Sequence, residues 1–261
     1  MIICVVRYDE GDIMGRKLLR ILCYIILICL SIILVISLKN IIEWFNDNRE
    51  TKEIVEKIVK NTNIIAVEED KRLMYVDLND LKKINNDTVA YIKVNNTNID
   101  YPVVKTTNNT FYLDHSFDKS YNKAGWVFMD YRNNVDYYDT NTILYAHGRL
   151  DNTMFGSLRE VIKDSWYMNK ENHIIKYSND KSSSLWQVFS IYKIKETDDY
   201  LDINFSTKDS NLKFINMIKS RSIYDFNCDV NVGDKILTLS SCYNDTDRVV
   251  LHAKLIKYVE K

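Results

Sequence analysis

The chain has 261 residues, of which 46% are hydrophobic and 27% charged, and its formal net charge is -1. That balance excludes extended disorder. With no basic excess and no zinc-finger, RNA-binding or basic-helix signature, it also argues against a nucleic-acid partner. One proline and six glycines leave little room for long flexible linkers.

The N-terminal region carries the first strong signal. Ile21 to Leu38 is an uncharged run of eighteen residues, just long enough to cross a hydrocarbon core as a helix. Arg16, Lys17 and Arg20 precede it. This predicts a cytoplasmic segment over residues 1–20, a single transmembrane anchor over 21–38, and everything after Lys39 outside the cell membrane. A cleaved signal peptide is the rival, but its apolar region is usually shorter and ends in small residues, and Ser37–Trp44 offers no such site. Cys23 does not read as a lipoprotein cysteine, because the apolar run follows it. Met1–Ile13 differ in character from the rest, and Met14-Gly-Arg-Lys offers an alternative start.

Residues 39–75 read as a juxtamembrane helical stalk. Ile41, Ile42, Trp44, Phe45, Ile54, Val55, Ile58 and Val59 recur at helical spacing as far as Asn61. One outer domain is expected over 76–261. A short helix is predicted at Asp77–Ile84, capped by its aspartate. Strand-like runs then dominate: Val89–Val94, Ile99–Lys105, Gly125–Tyr131, Thr142–Ala146, His173–Tyr177, Leu185–Ile194, Lys235–Cys242 and Arg248–Val259. Pro102 marks an edge or a bulge. Helices are expected at Met154–Ile162 and, amphipathic, at Lys208–Arg221. Many short strands with few helices make the fold class mostly β, a closed or nearly closed β-barrel.

The sharpest chemical segment is Thr238-Leu-Ser-Ser-Cys242-Tyr-Asn-Asp-Thr-Asp-Arg248. A strand ends in Cys242, a polar loop of five residues follows, and a new strand opens with Arg248. A thiol attacks as thiolate and therefore needs a cation or a base beside it. The tetrahedral adduct that forms carries an oxyanion, for which a fixed guanidinium is a good donor. A surface ion pair with Asp245 or Asp247 is the plainer role for Arg248.

His147 ends the apolar strand Thr142–Ala146 just before a glycine, where loops meet solvent. Among the four histidines, His115 sits in a polar loop and His173 opens a strand. His252 is the competitor, sharing Arg248's face about 13 Å further along its strand. Strand phase also turns Tyr145 and Ser240 to the side of His147 and Cys242, where a hydroxyl can meet a substrate backbone; packing in the barrel wall is the alternative. Tyr200, in a polar stretch before the second helix, is a further groove candidate. In the outer domain the cysteines are Cys228 and Cys242, and in an oxidising setting a disulfide between them is the rival to a free nucleophile. HExxH, CxxC, GxSxG and phosphate-loop signatures are missing, so no metal and no organic cofactor is implied.

Strand–His–Gly, about ninety residues later TLxxC, and then an arginine opening the next strand together resemble the sortases, and class B in particular. Supporting stretches are NTNIDYPVV, FMDYRN, ILYAHGR, TMFGSL and RVVLHAKL, with the helix-bearing insertion at Lys208–Arg221. The resemblance covers about Val76 to Val259. It implies an eight-stranded barrel preceded by helices, with a helix in a long loop between later strands. It also implies a membrane-anchored cysteine transpeptidase. Such an enzyme cleaves a secreted surface protein after the threonine of a C-terminal sorting signal, NPxTN- or PxTG-like, through a thioacyl-enzyme. An amine of the peptidoglycan then resolves the intermediate. Carried over, Cys242 is the nucleophile, His147 the general acid and later base, and Arg248 the oxyanion donor. Two other classes stay open: a cysteine hydrolase that releases its substrate to water, and a non-catalytic surface binding module.

Overall fold

The computed structural model describes residues 10–67, 70–242 and 246–260. Residues 1–9 of the expected cytoplasmic segment, and residues 243–245 of the loop after Cys242, lie outside the described residues. The chain divides into two units, one ending at Arg49 and the other beginning at Glu50. The first consists of the greater part of helix α1 (Glu10–Asn61). Within α1 an 18-residue window reaches a mean hydropathy of 3.2, and none of it is buried. By length and composition that window is able to cross a membrane.

In the second unit the last turns of α1 pack Ile54, Val55 and Ile58 on the main core. The helix stops at Asn61, and the rest of the expected helical stalk is a hairpin of β1 (Ile64–Val67) and β2 (Asp70–Val76). Leu73, Met74 and Val76 of β2 are buried. Ser183 Oγ donates to the carbonyl of Met74 at 2.7 Å, and Val76 N donates to Ser178 Oγ at 3.2 Å. The apolar runs Ile64–Val67 and Leu73–Val76 form strands here because they find partner strands and an apolar bed.

Helix α2 (Asn79–Ile84) begins two residues later than its aspartate suggested, and Asp77 Oδ1 accepts from Asn79 N at 3.0 Å. Eight strands then close a barrel: β3 (Thr88–Val94), β4 (Asp100–Val104), β5 (Phe128–Met129), β6 (Asn141–Ala146), β7 (Ile174–Asn179), β8 (Ser182–Lys195), β9 (Ile236–Cys242) and β10 (Asp247–Glu260). Their order around the wall is β10-β8-β7-β3-β4-β5-β6-β9. The pairs β4–β5 and β6–β9 are parallel, and the other pairs antiparallel. Closure removes the sheet edges. The mostly β, eight-stranded barrel expected from the sequence is the fold.

Pro102 sits where the wall is thinnest, since β5 offers β4 a single bridge, Val104 to Phe128. Its carbonyl faces away from β3 and accepts from Trp126 Nε1 at 2.9 Å, so its missing N–H leaves no ladder bond broken. Two expected elements shrink. The run Gly125–Tyr131 keeps only Phe128–Met129 as strand, because Trp126 N bonds Tyr112 O in the preceding loop and the chain turns at Asp130. The helix expected at Met154–Ile162 reduces to α3 (Leu158–Val161), since Gly148 and Met154 form a bridge and Met154 adopts a positive φ of 52°. The short α4 (Asp164–Tyr167) follows it.

The main core fills the barrel. A second cluster lies outside it, where α5 (Lys208–Ser220) lays Phe214, Ile215 and Ile218 against Phe189, Tyr192 and Val250. Helical spacing gathers those three apolar side chains on one face. Burying each contributes about 1.5–3 kcal/mol. Thr207 and Ser210 form a capping box at the start of α5, which fixes where the helix begins.

Candidate active site

The parallel pair β6–β9 is the frame of the site. Its last registered residues are Ala146 and Ser241, so the next residues, His147 and Cys242, leave adjacent strands side by side. Across the other edge of β9, Arg248 of β10 is the register partner of Cys242. Directly paired residues on antiparallel strands lie about 4.5–5.5 Å apart. For Cys242 the description stops at the backbone, and its side chain lies outside the described atoms. His147 thus meets Cys242 and Arg248, about a hundred positions further along the chain, at one end of the barrel, in an order dictated by hydrogen-bond register.

A cavity of about 270 Å³ opens at this end, between the loop after β4, the end of β6, and the segment that follows β8. His147 and Arg248 line it, with Tyr145, Ser240 and Tyr200. His147 Nε2 is 2.7 Å from the carbonyl oxygen of Leu113. A carbonyl only accepts, so Nε2 carries a hydrogen, and Nδ1 is the nitrogen available for proton transfer. Arg248 pairs with Glu196 just past the end of β8, and its Nη1 donates to Asp247 O at 3.3 Å. The arginine side chain is largely covered, whereas the glutamate is open to solvent. The Asp247 carboxylate pairs with Lys193 at 2.9 Å, and Asp245 lies outside the described residues.

Tyr200 is buried, and its hydroxyl lies 2.9 Å from Ser240 Oγ. Its segment is clamped to the barrel: Asn141 Nδ2 donates to the carbonyls of Tyr200 at 3.2 Å and Asp202 at 3.0 Å. Tyr145 OH donates to Asp130 Oδ2 at 2.9 Å. Burial, and then the negative charge of Asp130, push the Tyr145 phenol far above its ordinary range, so it stays a hydrogen-bond donor. Burial would raise the Asp130 carboxyl, but the hydrogen bonds and charge of Arg132 hold it below the usual carboxylate value. Asp130, Arg132, Asn109, Leu113 and Glu196 were not singled out from the sequence. The closely spaced Asp-x-Arg of FMDYRN was the available signal, since an acid and an arginine two residues apart readily pair.

The competitor His252 is removed from the chemistry by burial. It is fully buried, its Nδ1 2.8 Å from Thr238 Oγ1 and its Nε2 2.9 Å from Tyr192 OH. Burial, with the nearby charge of Arg221, drives its pKa down to about 3. His173 precedes β7 in a short turn and bonds Tyr167 O at 2.8 Å, while His115 stacks on Phe111 with centroids 4.0 Å apart. Neither lines the cavity. Cys228 is a free thiol, so the Cys228–Cys242 disulfide considered from the sequence is not formed.

Comparison with known proteins gives a consistent result. A sortase-domain family model matches residues 92–256. The chain is 32% identical to sortase B of Staphylococcus aureus over 237 residues, 89% of this chain and 96% of that protein. Among solved structures, a Staphylococcus aureus sortase B–substrate complex aligns with a TM-score of 0.64 and 37% identity, over 68% of this chain and 83% of the other. A sortase B complexed with triglycine aligns with a TM-score of 0.66 and 32% identity, over 82% and 97% respectively.

Proposed function

The chain belongs to the sortase family, class B, whose members are cysteine transpeptidases of the cell surface, and on that footing we propose how its own residues carry the reaction. The thiolate of Cys242 attacks the threonine carbonyl of a C-terminal sorting signal, NPxTN- or PxTG-like. The C=O π electrons move onto oxygen, and the guanidinium of Arg248 holds that oxyanion. The tetrahedral adduct collapses, the C–N bond breaks, and His147, holding on Nδ1 the proton released by the Cys242 thiol, gives that proton to the departing amine. A thioacyl-enzyme remains. An amine of the peptidoglycan then attacks the thioester, His147 takes up its proton, and Cys242 leaves as thiolate. The surface protein is now joined by an amide bond.

The observation that carries this reading is the register: β6 and β9 end side by side at His147 and Cys242, with Arg248 paired to Cys242. The cavity beside them, lined by His147 and Arg248, offers a place for the substrate carbonyl. The relatives named above were solved with a substrate and with triglycine, which favours the same two substrate classes here. The apolar window of α1 serves as the membrane anchor, with Trp44 and Phe45 exposed just beyond it as interfacial residues. The basic residues before it put the N-terminus in the cytoplasm and the barrel outside.

The test uses the full-length chain in detergent with NPxTN- and PxTG-like peptides, with and without triglycine. Mass spectrometry should find a thioacyl adduct ending in threonine on Cys242, and a ligated product when triglycine is present. Cys242→Ala should form neither. Cleavage without ligation at any amine concentration would make the enzyme a hydrolase. No adduct and no cleavage across the panel would leave a binding module.

A further inference from the structure

Behind the cavity lies a carboxylate that touches no open space. Asp130 is completely buried, immediately past the two-residue strand β5, where its N–H bonds Ile143 O at 2.9 Å. Its two oxygens accept five hydrogen bonds. Oδ1 takes Arg132 N at 2.9 Å and Arg132 Nε at 2.8 Å. Oδ2 takes Arg132 Nη2 at 2.8 Å, Asn109 Nδ2 at 3.0 Å and Tyr145 OH at 2.9 Å.

The donors come from different walls of the cavity. Tyr145 belongs to β6, two residues before His147. Asn109 opens the loop whose Leu113 carbonyl holds the His147 ring, and Asn109 Oδ1 also accepts from Tyr131 N at 2.9 Å. Arg132 reaches the third wall, where its Nη2 donates to the carbonyl of Leu201 at 2.9 Å. Asn109, Tyr145 and Leu201 all line the cavity, and Asp130 does not. An ion pair of purely local purpose needs only Arg132. Here the carboxylate also takes one donor from each of two further wall segments, and its cation takes an acceptor on a third.

We infer that Asp130 is a positioning residue for substrate recognition, a buried acceptor that ties three walls of the peptide groove to one another and so sets how tightly the sorting signal is held. The inference rests on the transpeptidase reading of the site. Asp130 does not touch the reacting atoms; it acts through Tyr145, Asn109 and the Leu201 carbonyl. A carboxylate is suited to this because it is acceptor-only and offers about four lone-pair directions. An amide of the same shape presents donors to donors. Asp130→Asn therefore sets an N–H against the fork of Arg132 or against Tyr145 and Asn109.

The test combines kinetics with hydrogen exchange on the full-length chain in detergent. Asp130→Asn should raise KM for the cleaved peptide about tenfold, the order of one charge-assisted hydrogen bond, and lower kcat by a smaller factor. Exchange should quicken at 109–113 and 199–202 while the ladder β3–β7 keeps its protection. Should that variant fold poorly, Tyr145→Phe and Asn109→Ala each remove one leg of the network. Both should raise KM in the same direction, and Asp130→Asn combined with Tyr145→Phe should cost less than the sum. A folded Asp130→Asn with parental KM, or parental KM in both single-leg variants, overturns the proposal. So does unchanged exchange in the two wall segments, whether or not peptide is cleaved. A parent enzyme that cleaves no sorting peptide fails separately, against the transpeptidase reading.

Discussion

Acid should destabilise this protein through one histidine remote from the chemistry. His252 is fully buried, and its hydrogen-bond partners fix its tautomer. Thr238 Oγ1 donates to Asn141 Oδ1 at 2.6 Å, so it must accept from His252 Nδ1–H, and Nε2 is left to accept from Tyr192 OH. A second proton on Nε2 would face that hydroxyl hydrogen in a site without water contact, with the Arg221 guanidinium 5.8 Å from the Tyr192 ring. The folded-state pKa is accordingly depressed to about 3 from an ordinary 6.5. The unfolded chain takes up a proton near pH 6.5 that the folded chain refuses, so the contribution to stability is complete above that pH. It is lost progressively as pH falls toward 3. Between pH 7 and pH 5 the linkage amounts to about 2 kcal/mol.

Urea unfolding of the full-length chain in detergent, followed by the fluorescence of the buried Trp126, Trp166 and Trp186, measures it. His252→Gln supplies the control without a titrating ring. The parent should lose about 2 kcal/mol more than the variant between pH 7 and pH 5. Equal losses in the two proteins would refute the reasoning, as would a His252 ring signal titrating near pH 6.5 by NMR. The same variant should keep the pH profile of peptide cleavage, since the histidine proposed to transfer protons is His147.

Arg248→Lys should lower kcat/KM roughly 100-fold, because a point charge cannot replace the planar fork at a developing oxyanion; single-turnover thioacylation measures it. Gly125 holds a φ of 62°, and a Cβ there would sit 2.5 Å from Tyr112 O. Gly125→Ala should therefore cost at least about 1–3 kcal/mol by urea unfolding. It should also slow thioacylation, because the loop it strains carries the Leu113 carbonyl that orients His147. Tyr200→Phe and Ser240→Ala remove the two ends of a 2.9 Å bond. Each should cost about 1 kcal/mol, and the double variant less than the sum, read by the same unfolding assay.

Strand periodicity and turn chemistry made the barrel legible, and the helix over Lys208–Arg221 was legible from its single apolar face. The hairpin at 64–76 was not, because its isoleucines and valines continue a helix-like spacing from α1, and only the partners at Ser178 and Ser183 decide for strands. Tyr145 and Ser240, which strand phase turns to the side of His147, line the same cavity as that histidine. Strand phase could not separate His147 from His252, for both end or lie on apolar strands, and the difference is the burial of His252 among Phe189, Tyr192 and Tyr200. Asp130 was illegible for a different reason. An aspartate among tyrosine, arginine and asparagines reads as a solvated turn, and its role exists only once residues 109, 145 and 201 have been brought round it.

The topology also explains why His147 and Cys242, the proposed acid and nucleophile, stand so far apart in sequence yet share a rim. Parallel neighbours need a long crossover, and between β6 and β9 that crossover contains β7, β8 and α5, which complete the barrel wall and its outer core. The juxtaposition of His147 and Cys242 is thus a consequence of barrel closure, not of any local loop. Loops instead carry Leu113, Asn109, Tyr200 and Glu196, the groups that orient His147, line the groove or pair with Arg248. Changes in the segments 109–126 and 196–205 can therefore alter which peptide is held while leaving the strand ends in register. Opening the β6–β9 ladder separates His147 from Cys242, so the proposed chemistry and the global fold should be lost together.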